Sequence, residues 1–265
     1  MSLEGRPTPA APGDDLPPEL CVVVPTLNER DNVRPLVREL AAALGGIAWE
    51  VIFVDDDSPD GTARAVHEID VERARVRCLE RIGRRGLATA CIEGMLASSA
   101  PYLAVMDGDL QHDPQILPRM LELLRSGAAE LVVASRYAEG GSTALWDSKR
   151  RTFSRIATHL AGALAPAGLR DPLSGYFALR RTLLDEVAGE LSGRGFKILL
   201  DILASARRPL AFREVPYRFR ARRTGVSKLD SVVAWEYLLL LAGKLALRWV
   251  PNRFRAASMR APRRP

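Results

Sequence analysis

Three apolar segments, each followed directly by polar residues, most constrain the fold of this chain. They begin at Cys21, Val51 and Tyr102. The first two are short and rich in β-branched residues, as fully buried parallel strands are. Helix-like stretches follow them, from Asp31 to Leu44 and from Thr62 to Ile69. Strand, polar turn and helix in repetition predict an α/β sheet with a ligand site at the carboxyl ends of its strands.

The third apolar segment ends in an acidic cluster, Asp-Gly-Asp-Leu-Gln-His, at residues 107–112. Its oxygen-bearing side chains at positions 107, 109 and 111 leave the sheet at one edge. Hard divalent cations prefer oxygen ligands, and Mg²⁺ commonly combines one or two carboxylates with phosphate oxygens. The cluster therefore suggests a metal-assisted reaction of a phosphate compound. The alternative is an acidic turn in which Asp107 or Asp109 caps the next helix.

A set of short motifs occurs in a fixed order between about residue 20 and residue 230. The motifs are Val-Val-Val-Pro-Thr-Leu-Asn-Glu (22–29), Asp-Asp-Asp-Ser-Pro-Asp-Gly-Thr (55–62), Asp-Gly-Asp-Leu-Gln-His-Asp-Pro (107–114), Ser-Arg-Tyr (135–137), Asp-Pro-Leu-Ser-Gly-Tyr (171–176), Gly-Phe-Lys-Ile-Leu (195–199) and Arg-Arg-Thr-Gly-Val-Ser-Lys (222–228). With them the chain resembles the family 2 glycosyltransferases, and within these the dolichol- or polyprenol-phosphate mannose synthase group. The resemblance implies an α/β fold of the GT-A type, with a mostly parallel sheet flanked by helices, over residues 19–228.

Amino-acid composition indicates the character of the N-terminal residues and of the cysteines. Residues 1–18 are rich in Pro, Gly and Ala without an apolar core, so we expect a disordered lead rather than a signal peptide. Cys21, Cys78 and Cys91 are scattered, which argues against a disulfide framework and favours a reducing cytoplasm. Cys21 and Cys91 are expected to be buried packing residues.

Two basic stretches account for the net charge of +6. The stretch 207–228 holds eight Lys or Arg and one acid, and residues 248–265 hold six Arg and no acid. Nucleic acid, anionic lipid and phosphorylated substrates are the possible partners. Nucleic acid is the weakest of these, because no recognition helix, zinc-finger spacing or aromatic-basic interleaving is present. A solvated basic tail is an alternative for the residues from Arg253 onward.

An apolar helix is predicted from Asp230 to Val250, with a narrow stripe formed by Glu236, Lys244 and Arg248. Its longest uncharged run is far below the ~20 residues that span a bilayer. Together with the tail to residue 265 it suits the membrane interface, so we expect an amphipathic, peripheral segment over 229–265 on the cytoplasmic face. Packing against the catalytic domain or across a dimer is the alternative.

The resemblance implies roles for individual residues. It implies that a divalent cation, Mg²⁺ or Mn²⁺, binds Asp107, Asp109 and Gln111. The residues implied to bind the nucleotide-sugar donor are Pro25, Leu27, Glu29, Val54, Asp56, Asp107, Gly108, Asp109, Arg222 and Lys228. Leu27 stands where many relatives have an aromatic residue, which leaves the nucleotide base open. For the run 55–57, a turn that caps the helix near Gly61 is the alternative.

The acceptor is expected to be a phosphate. A sugar hydroxyl needs a general base, whereas a lipid monophosphate is already largely ionised at neutral pH, with a second pKa of about 6. Arginine suits the task of bringing two phosphates together. Arg136, Arg151 (or its neighbour Arg150) and Ser174 are the candidate acceptor-phosphate ligands, and Asp109 and Arg136 are the candidate catalytic residues.

The predicted activity is inverting transfer of a hexose, most simply mannose from GDP-mannose, to a polyprenyl or dolichyl monophosphate. A polyprenyl-phosphate hexose synthase that uses a UDP-sugar is the first alternative. A nucleotidyltransferase would also pair carboxylates with Mg²⁺, but its glycine-rich, lysine-bearing N-terminal loop is missing. A non-catalytic membrane adaptor is a further alternative, against which the acidic cluster and the basic motif at 222–228 argue.

Overall fold

The computed structural model describes residues 17–69, 75–138, 165–217 and 220. Seven strands form one sheet. They are β1 (Leu20–Thr26), β2 (Trp49–Asp55), β3 (Arg75–Glu80), β4 (Tyr102–Val105), β5 (Leu131–Ser135), β6 (Phe177–Arg180) and β7 (Phe212–Pro216). Their order is β3-β2-β1-β4-β6-β5-β7. Only β6 runs antiparallel to its neighbours, β4 and β5, and every other pair is parallel. The mostly parallel sheet expected from the sequence is therefore confirmed.

Six α-helices of the described residues cover the two faces of the sheet. They are α1 (Arg30–Ala43), α2 (Thr62–His67), α3 (Leu87–Leu96), α4 (Leu117–Arg125), α5 (Arg181–Val187) and α6 (Ile198–Ser205). Apolar residues of α1, α2 and α4 pack on one face, and those of α3, α5 and α6 pack on the other. The helices predicted after the first two strands are α1 and α2, each within two residues of the expected ends.

Strand β1 shows why the central strands read as continuous apolar runs. Leu20, Val22 and Val24 enter the core on one face, while Cys21 and Val23 enter the core on the other. Successive side chains alternate between faces, so a strand covered on both sides must be apolar at every position. Burial of a Val or Leu side chain contributes roughly 1.5–3 kcal/mol, which makes this strand a main source of stability. The prediction that Cys21 is a buried packing residue is confirmed.

Helix α3 approaches the sheet closely at one glycine. A Cβ on Gly94 would lie 2.4 Å from Cγ1 of Val23 and 2.8 Å from Cγ2 of Val54. No side chain larger than a hydrogen atom fits between helix and strands at this point. Glycine is unfavourable in a helix interior by about 1 kcal/mol, so the close approach explains its presence.

Several expectations fall outside the described residues. These are residues 1–16 of the N-terminal lead predicted over 1–18, Arg151, Arg222, Lys228 and the interfacial helix and tail over 229–265, and they stay predictions. Within the ranges the structure does describe, no helix is long and apolar enough to cross a membrane.

Candidate active site

The carboxyl ends of β1, β2 and β4 meet at one edge of the sheet. Thr26, the last residue of β1, is in register with Asp55, the last residue of β2, and its hydroxyl donates to Asp55 Oδ1 over 3.1 Å. Val105 at the end of β4 is in register with Val23, which brings Asp107 beside the end of β1. The three polar strand ends therefore form a single crevice, as the sequence pattern predicted.

The acidic turn after β4 directs two carboxylates to this crevice. Leu110 has a φ of +61°, and Asp109 Oδ1 accepts a hydrogen bond from the Gln111 amide over 3.1 Å. Asp109 is buried, whereas the Asp107 side chain is 42% exposed. Although the Asp107 side chain is partly exposed, the surrounding protein removes part of the water around its carboxyl group and raises its pKa, and the nearby charge of Asp109 adds to the rise. Two carboxylates that repel each other in this way form an oxygen-rich site that a cation stabilises.

Gln111 links the acidic turn to the segment after β7. Its backbone carbonyl accepts a hydrogen bond from the Arg220 amide, and its side-chain Nε2 donates to the Arg220 carbonyl, both over 3.0 Å. The Arg220 guanidinium in turn donates to Glu39 over 2.8 Å and to Asp113 over 2.7 Å. Because Nε2 is engaged with a carbonyl, the other side-chain atom, Oε1, is the acceptor that Gln111 can offer to a cation.

His112 supports the acidic turn from within. Its Nδ1 accepts a hydrogen bond from the Asp107 amide over 3.2 Å, and its ring stacks on Tyr176 with centroids 5.0 Å apart. Tyr217 packs edge-on against both rings. Burial lowers the pKa of His112, which favours the neutral ring. His112 is thus part of an aromatic wall behind the Asp107 backbone.

Two glycines allow the backbone to approach the crevice closely. A Cβ on Gly108 would lie 3.2 Å from Cγ1 of Val24 and 3.3 Å from Cγ2 of Thr26. A Cβ on Gly175, in the turn before β6, would lie 3.3 Å from Oδ2 of Asp107. The turn before β6 therefore lies directly against the Asp107 carboxylate, which the sequence did not indicate.

Arg136 is held in the crevice by a buried ion pair. Its Nε and Nη2 donate to the carboxylate of Asp171 over 2.8 and 2.7 Å, and its backbone amide donates to Oδ2 over 3.1 Å. Burial acts to lower the pKa of the guanidinium, but the hydrogen bonds and charge of Asp171 outweigh it and raise the pKa. Arg136 therefore stays positively charged at every relevant pH.

Ser174 is placed in the same turn, but its hydroxyl has partners within the protein. It donates to the Ala134 carbonyl over 2.7 Å and accepts from the Tyr176 amide over 3.2 Å. Ser174 is also buried. Its hydroxyl holds the turn in this structure, and a role in phosphate binding stays a prediction.

Lys197 brings a further cation to the crevice. Its Nζ donates to the Leu173 carbonyl over 3.2 Å and lies 4.8 Å from the ring centre of Phe196. Its charge also counts among those that lower the pKa of Asp107, although burial has the larger and opposite effect. Lys197 therefore joins the turn before β6 to the start of α6, on the side of the acidic turn.

Asp56, after β2, is held by a buried arginine that the sequence analysis missed. Arg81 Nη1 donates to Asp56 Oδ1 over 2.6 Å, and the Gly86 amide donates to Oδ2 over 2.7 Å. Only 2% of the Arg81 side chain is exposed, and its Nη2 donates to the Thr89 hydroxyl over 2.5 Å. Arg81 follows β3 as Asp56 follows β2. The same strand-end logic would have found it had β3 been recognised.

The remaining residues predicted for donor binding lie around the ends of β1 and β2. Glu29 Oε2 accepts from the Asn32 side chain over 2.6 Å, and Pro25 and Leu27 are partly exposed beside it. Val54 differs, because its side chain is fully buried in the core. Its side chain therefore supports the strand, whereas the other three line the edge.

The acidic run after β2 combines the two interpretations that the sequence left open. Asp56 forms an ion pair with Arg81 and does not hold the turn before α2. Asp55 accepts from the amide and hydroxyl of Ser58 over 3.0 and 2.6 Å, and Asp60 accepts from the amide and hydroxyl of Thr62 over 3.0 and 2.5 Å. Asp55 and Asp60 thus hold the turn and the start of α2, as carboxylates in turns commonly do.

Comparison with known proteins agrees with this fold. The family model described as "Glycosyl transferase family 2" matches residues 21–188, and the chain belongs to this family. The crystal structure of glucosyl-3-phosphoglycerate synthase from Mycobacterium tuberculosis, in complex with Mn²⁺, UDP-glucose and phosphoglyceric acid, superposes with a TM-score of 0.65. The alignment covers 89% of this chain and 81% of that one at 20% identity, so the likeness concerns the fold. The same enzyme with Mg²⁺ and UDP also gives 0.65.

Within the family, the chain is similar to dolichol-phosphate mannosyltransferases. The Pyrococcus furiosus enzyme is 36% identical over 83% of this chain, which spans 62% of that relative's length. The Saccharomyces cerevisiae enzyme is 36% identical over 83% of this chain and 84% of its own. The Mycosarcoma maydis enzyme is 35% identical, with coverages of 83% and 77%. The family, the fold class and the predicted kinship with the mannose synthase group are therefore confirmed.

Proposed function

We propose that this chain transfers mannose from GDP-mannose to a polyprenyl monophosphate, with inversion at the anomeric carbon. The observation that carries the proposal is the Arg136–Asp171 ion pair, which fixes a guanidinium group and occupies the buried carboxylate that an enzyme acting on a hydroxyl could have used as its base. The names of three relatives, all dolichol-phosphate mannosyltransferases, support the donor sugar and the acceptor class.

Donor binding is assigned to the edge formed by β1, β2 and β4. Asp56 and Glu29 offer carboxylate oxygens to ribose hydroxyls or a base edge, and Pro25 and Leu27 cover the nucleoside. Asp107, Asp109 and Gln111 offer oxygen ligands only, a donor set that fits Mg²⁺ or Mn²⁺. When bound there, the cation would offset the charge that develops on the leaving diphosphate.

The acceptor phosphate is assigned to Arg136, with Arg151 and Ser174 as further candidate ligands. A phosphate oxygen attacks the anomeric carbon, the bond to the nucleoside diphosphate breaks, and no proton has to be removed from the nucleophile. Asp171 is a buried carboxylate in the turn before β6, and both of its oxygens accept hydrogen bonds from Arg136. A carboxylate held in this way is a poor general base, which favours an acceptor that is already ionised.

Closure over the donor is assigned to Arg222 and Lys228. Arg220 is joined to Gln111 by two hydrogen bonds, so the chain lies beside a candidate cation ligand two residues before the basic motif begins in the sequence. Arg222 is two residues further on, within about 7 Å of chain length. A guanidinium and an ammonium group at this point can bind the diphosphate during transfer.

The proposal is tested by offering the full chain GDP-mannose, UDP-glucose and UDP-galactose together with a short-chain polyprenyl phosphate. Mass spectrometry should find polyprenyl-phosphate mannose and consumption of the GDP-sugar alone. Consumption of a UDP-sugar instead would assign the protein to the alternative hexose synthases. Transfer only to free sugars or to water would overturn the phosphate acceptor.

Two controls connect the activity to the acidic turn. Asp109→Asn keeps the shape of the side chain and removes its charge, so it should lower turnover by at least about a hundredfold, the scale of losing a transition-state contact. Glu122→Gln, an exposed acid on α4, should leave turnover unchanged. Turnover that survives both a chelator and Asp109→Asn would contradict the assignment of the cation.

Membrane association is proposed for residues 229–265, which would place the enzyme peripherally on the cytoplasmic face, where a lipid phosphate is within reach. Flotation with anionic vesicles should carry the full chain to the top of a gradient and leave a chain ending at residue 229 below. Equal flotation of both proteins would remove this role from the segment.

A further inference from the structure

A second group of possible metal ligands lies at the outer edge of the sheet. His67 is the last residue of α2, and Cys78 and Glu80 lie two apart on the edge strand β3, so their side chains share one face. One ligand atom from each residue lies within 4.8 Å of the other two, and His67 Nε2 lies 3.0 Å from Glu80 Oε1. Both of these side chains are about half exposed.

We propose that His67, Cys78 and Glu80 bind a zinc-class divalent cation, with water in the fourth position. Nitrogen, sulfur and oxygen ligands at about 2.0–2.3 Å form tetrahedral Zn²⁺ sites, and three protein ligands with one open position are a known arrangement. At such bond lengths the ligand atoms stand roughly 3.3–3.8 Å apart. The present separations approach this range, so small side-chain rotations suffice to close the site.

The surrounding charges favour a cation at this place. Asp55 is in register with Glu80 on the neighbouring strand, so two carboxylates lie near the thiol. Their charges attract a dication, whose binding converts the thiol to a thiolate and releases the proton to solvent.

This site is separate from the acidic turn in both position and chemistry. β3 and β4 are three strands apart in the sheet, which is about 14 Å at the ~4.8 Å spacing of neighbouring strands. The acidic turn offers only oxygen ligands, which hard Mg²⁺ and Mn²⁺ prefer, whereas a thiolate and an imidazole select softer ions. A bound ion would join the end of α2 to β3.

Cobalt is the probe that distinguishes the two sites, because only a thiolate ligand gives Co²⁺ a charge-transfer band in the near ultraviolet. The full chain with one equivalent of Co²⁺ should show this band, and Zn²⁺ should displace it. Cys78→Ser should abolish the band. His67→Gln, at an exposed position, should weaken Co²⁺ binding by at least about tenfold, or 1.4 kcal/mol.

Glu68→Gln is the matched control for Glu80→Gln, because Glu68 is an exposed carboxylate next to His67 that does not belong to the group. Glu80→Gln should weaken cobalt binding and Glu68→Gln should not. Zn²⁺ should also raise the melting temperature of the wild type and of Glu68→Gln, but not that of His67→Gln. Absence of the band in the wild type, its survival in Cys78→Ser, or equal effects of the two glutamate substitutions would overturn the proposal.

Discussion

Asp171 accepts three hydrogen bonds from Arg136, two from the guanidinium group and one from the backbone amide. Arg136 directly follows β5, and Asp171 lies in the turn before β6. Because β6 runs antiparallel to β5, both residues lie at the same edge of the sheet. The pair holds the Arg136 guanidinium group in place at the crevice and joins the two chain segments that reach it.

Asp171→Asn is expected to lower the free energy of unfolding by about 3 kcal/mol, because it leaves a buried guanidinium without its counter-charge. Urea denaturation measures this loss. Glu190→Gln is the control, since it removes the partner of the exposed Arg207 and should cost less than about 1 kcal/mol. Equal losses in the two variants would show that the buried ion pair contributes no more to the free energy of unfolding than the exposed one.

Gly175→Ala is expected to affect ligand binding more than stability. The new Cβ would lie 3.3 Å from Asp107 Oδ2 and push the carboxylate away from its present position. Titration with Mn²⁺ and GDP should therefore show affinity at least about tenfold weaker, or 1.4 kcal/mol. Gly189→Ala is the control, because a Cβ there meets nothing within 4 Å. Unchanged Mn²⁺ affinity in Gly175→Ala would contradict the close approach.

Arg81→Lys is expected to raise the KM for the nucleotide sugar with a smaller effect on kcat. Lysine keeps the charge but cannot hold Asp56, Thr89 and the Gly86 carbonyl together as the guanidinium fork does. Arg84→Lys provides the comparison, because Arg84 is an exposed neighbour paired with Glu93. Initial rates at varied donor concentration separate the two parameters. A lower melting temperature with an unaltered KM would show that Arg81 stabilises the fold and does not affect donor binding.

Gly94→Ala is expected to destabilise the fold by about 2 kcal/mol, despite the better helix propensity of alanine, because the methyl group overlaps Val23 and Val54. Gly108→Ala should cost much less, because its nearest contact would be 3.2 Å, from Val24 Cγ1. Thermal or urea unfolding of both variants tests the difference. The reverse order of stability would mean that α3 can move away from the sheet at little cost.

The part of the fold that the sequence predicted is the part buried on both faces. β1 and β2 and the helices after them were recognisable because their apolar runs and turn residues agree with each other. β3 escaped notice because it is an edge strand, with Arg75, Arg77 and Glu80 among its six residues. The direction of β6 could not be inferred, since a run of four residues carries no signal for strand orientation.

Some residues of the candidate site could likewise be recognised in the sequence, and others could not. Asp107, Asp109 and Asp56 were recognised because they follow apolar strands, and this position is itself a sequence signal. Arg81 also follows a strand, but that strand lacks a continuous apolar run, so the signal was hidden. Lys197 comes from a segment distant in sequence, and only tertiary packing brings it near the acidic turn. The ion pair of Arg136 was also beyond reach, because no local pattern joins position 136 to position 171.

The reversal of β6 has a consequence for how enzymes of this kind can diversify. The strand ends that carry Asp56, Asp107 and Asp109 precede residue 138, and the chain returns to the crevice at Asp171, which binds Arg136. Whatever length of chain joins these two points, both of its ends are fastened to the same side of the sheet. The length and sequence of the chain between these two points can therefore vary without moving Arg136 or Asp171 from this edge.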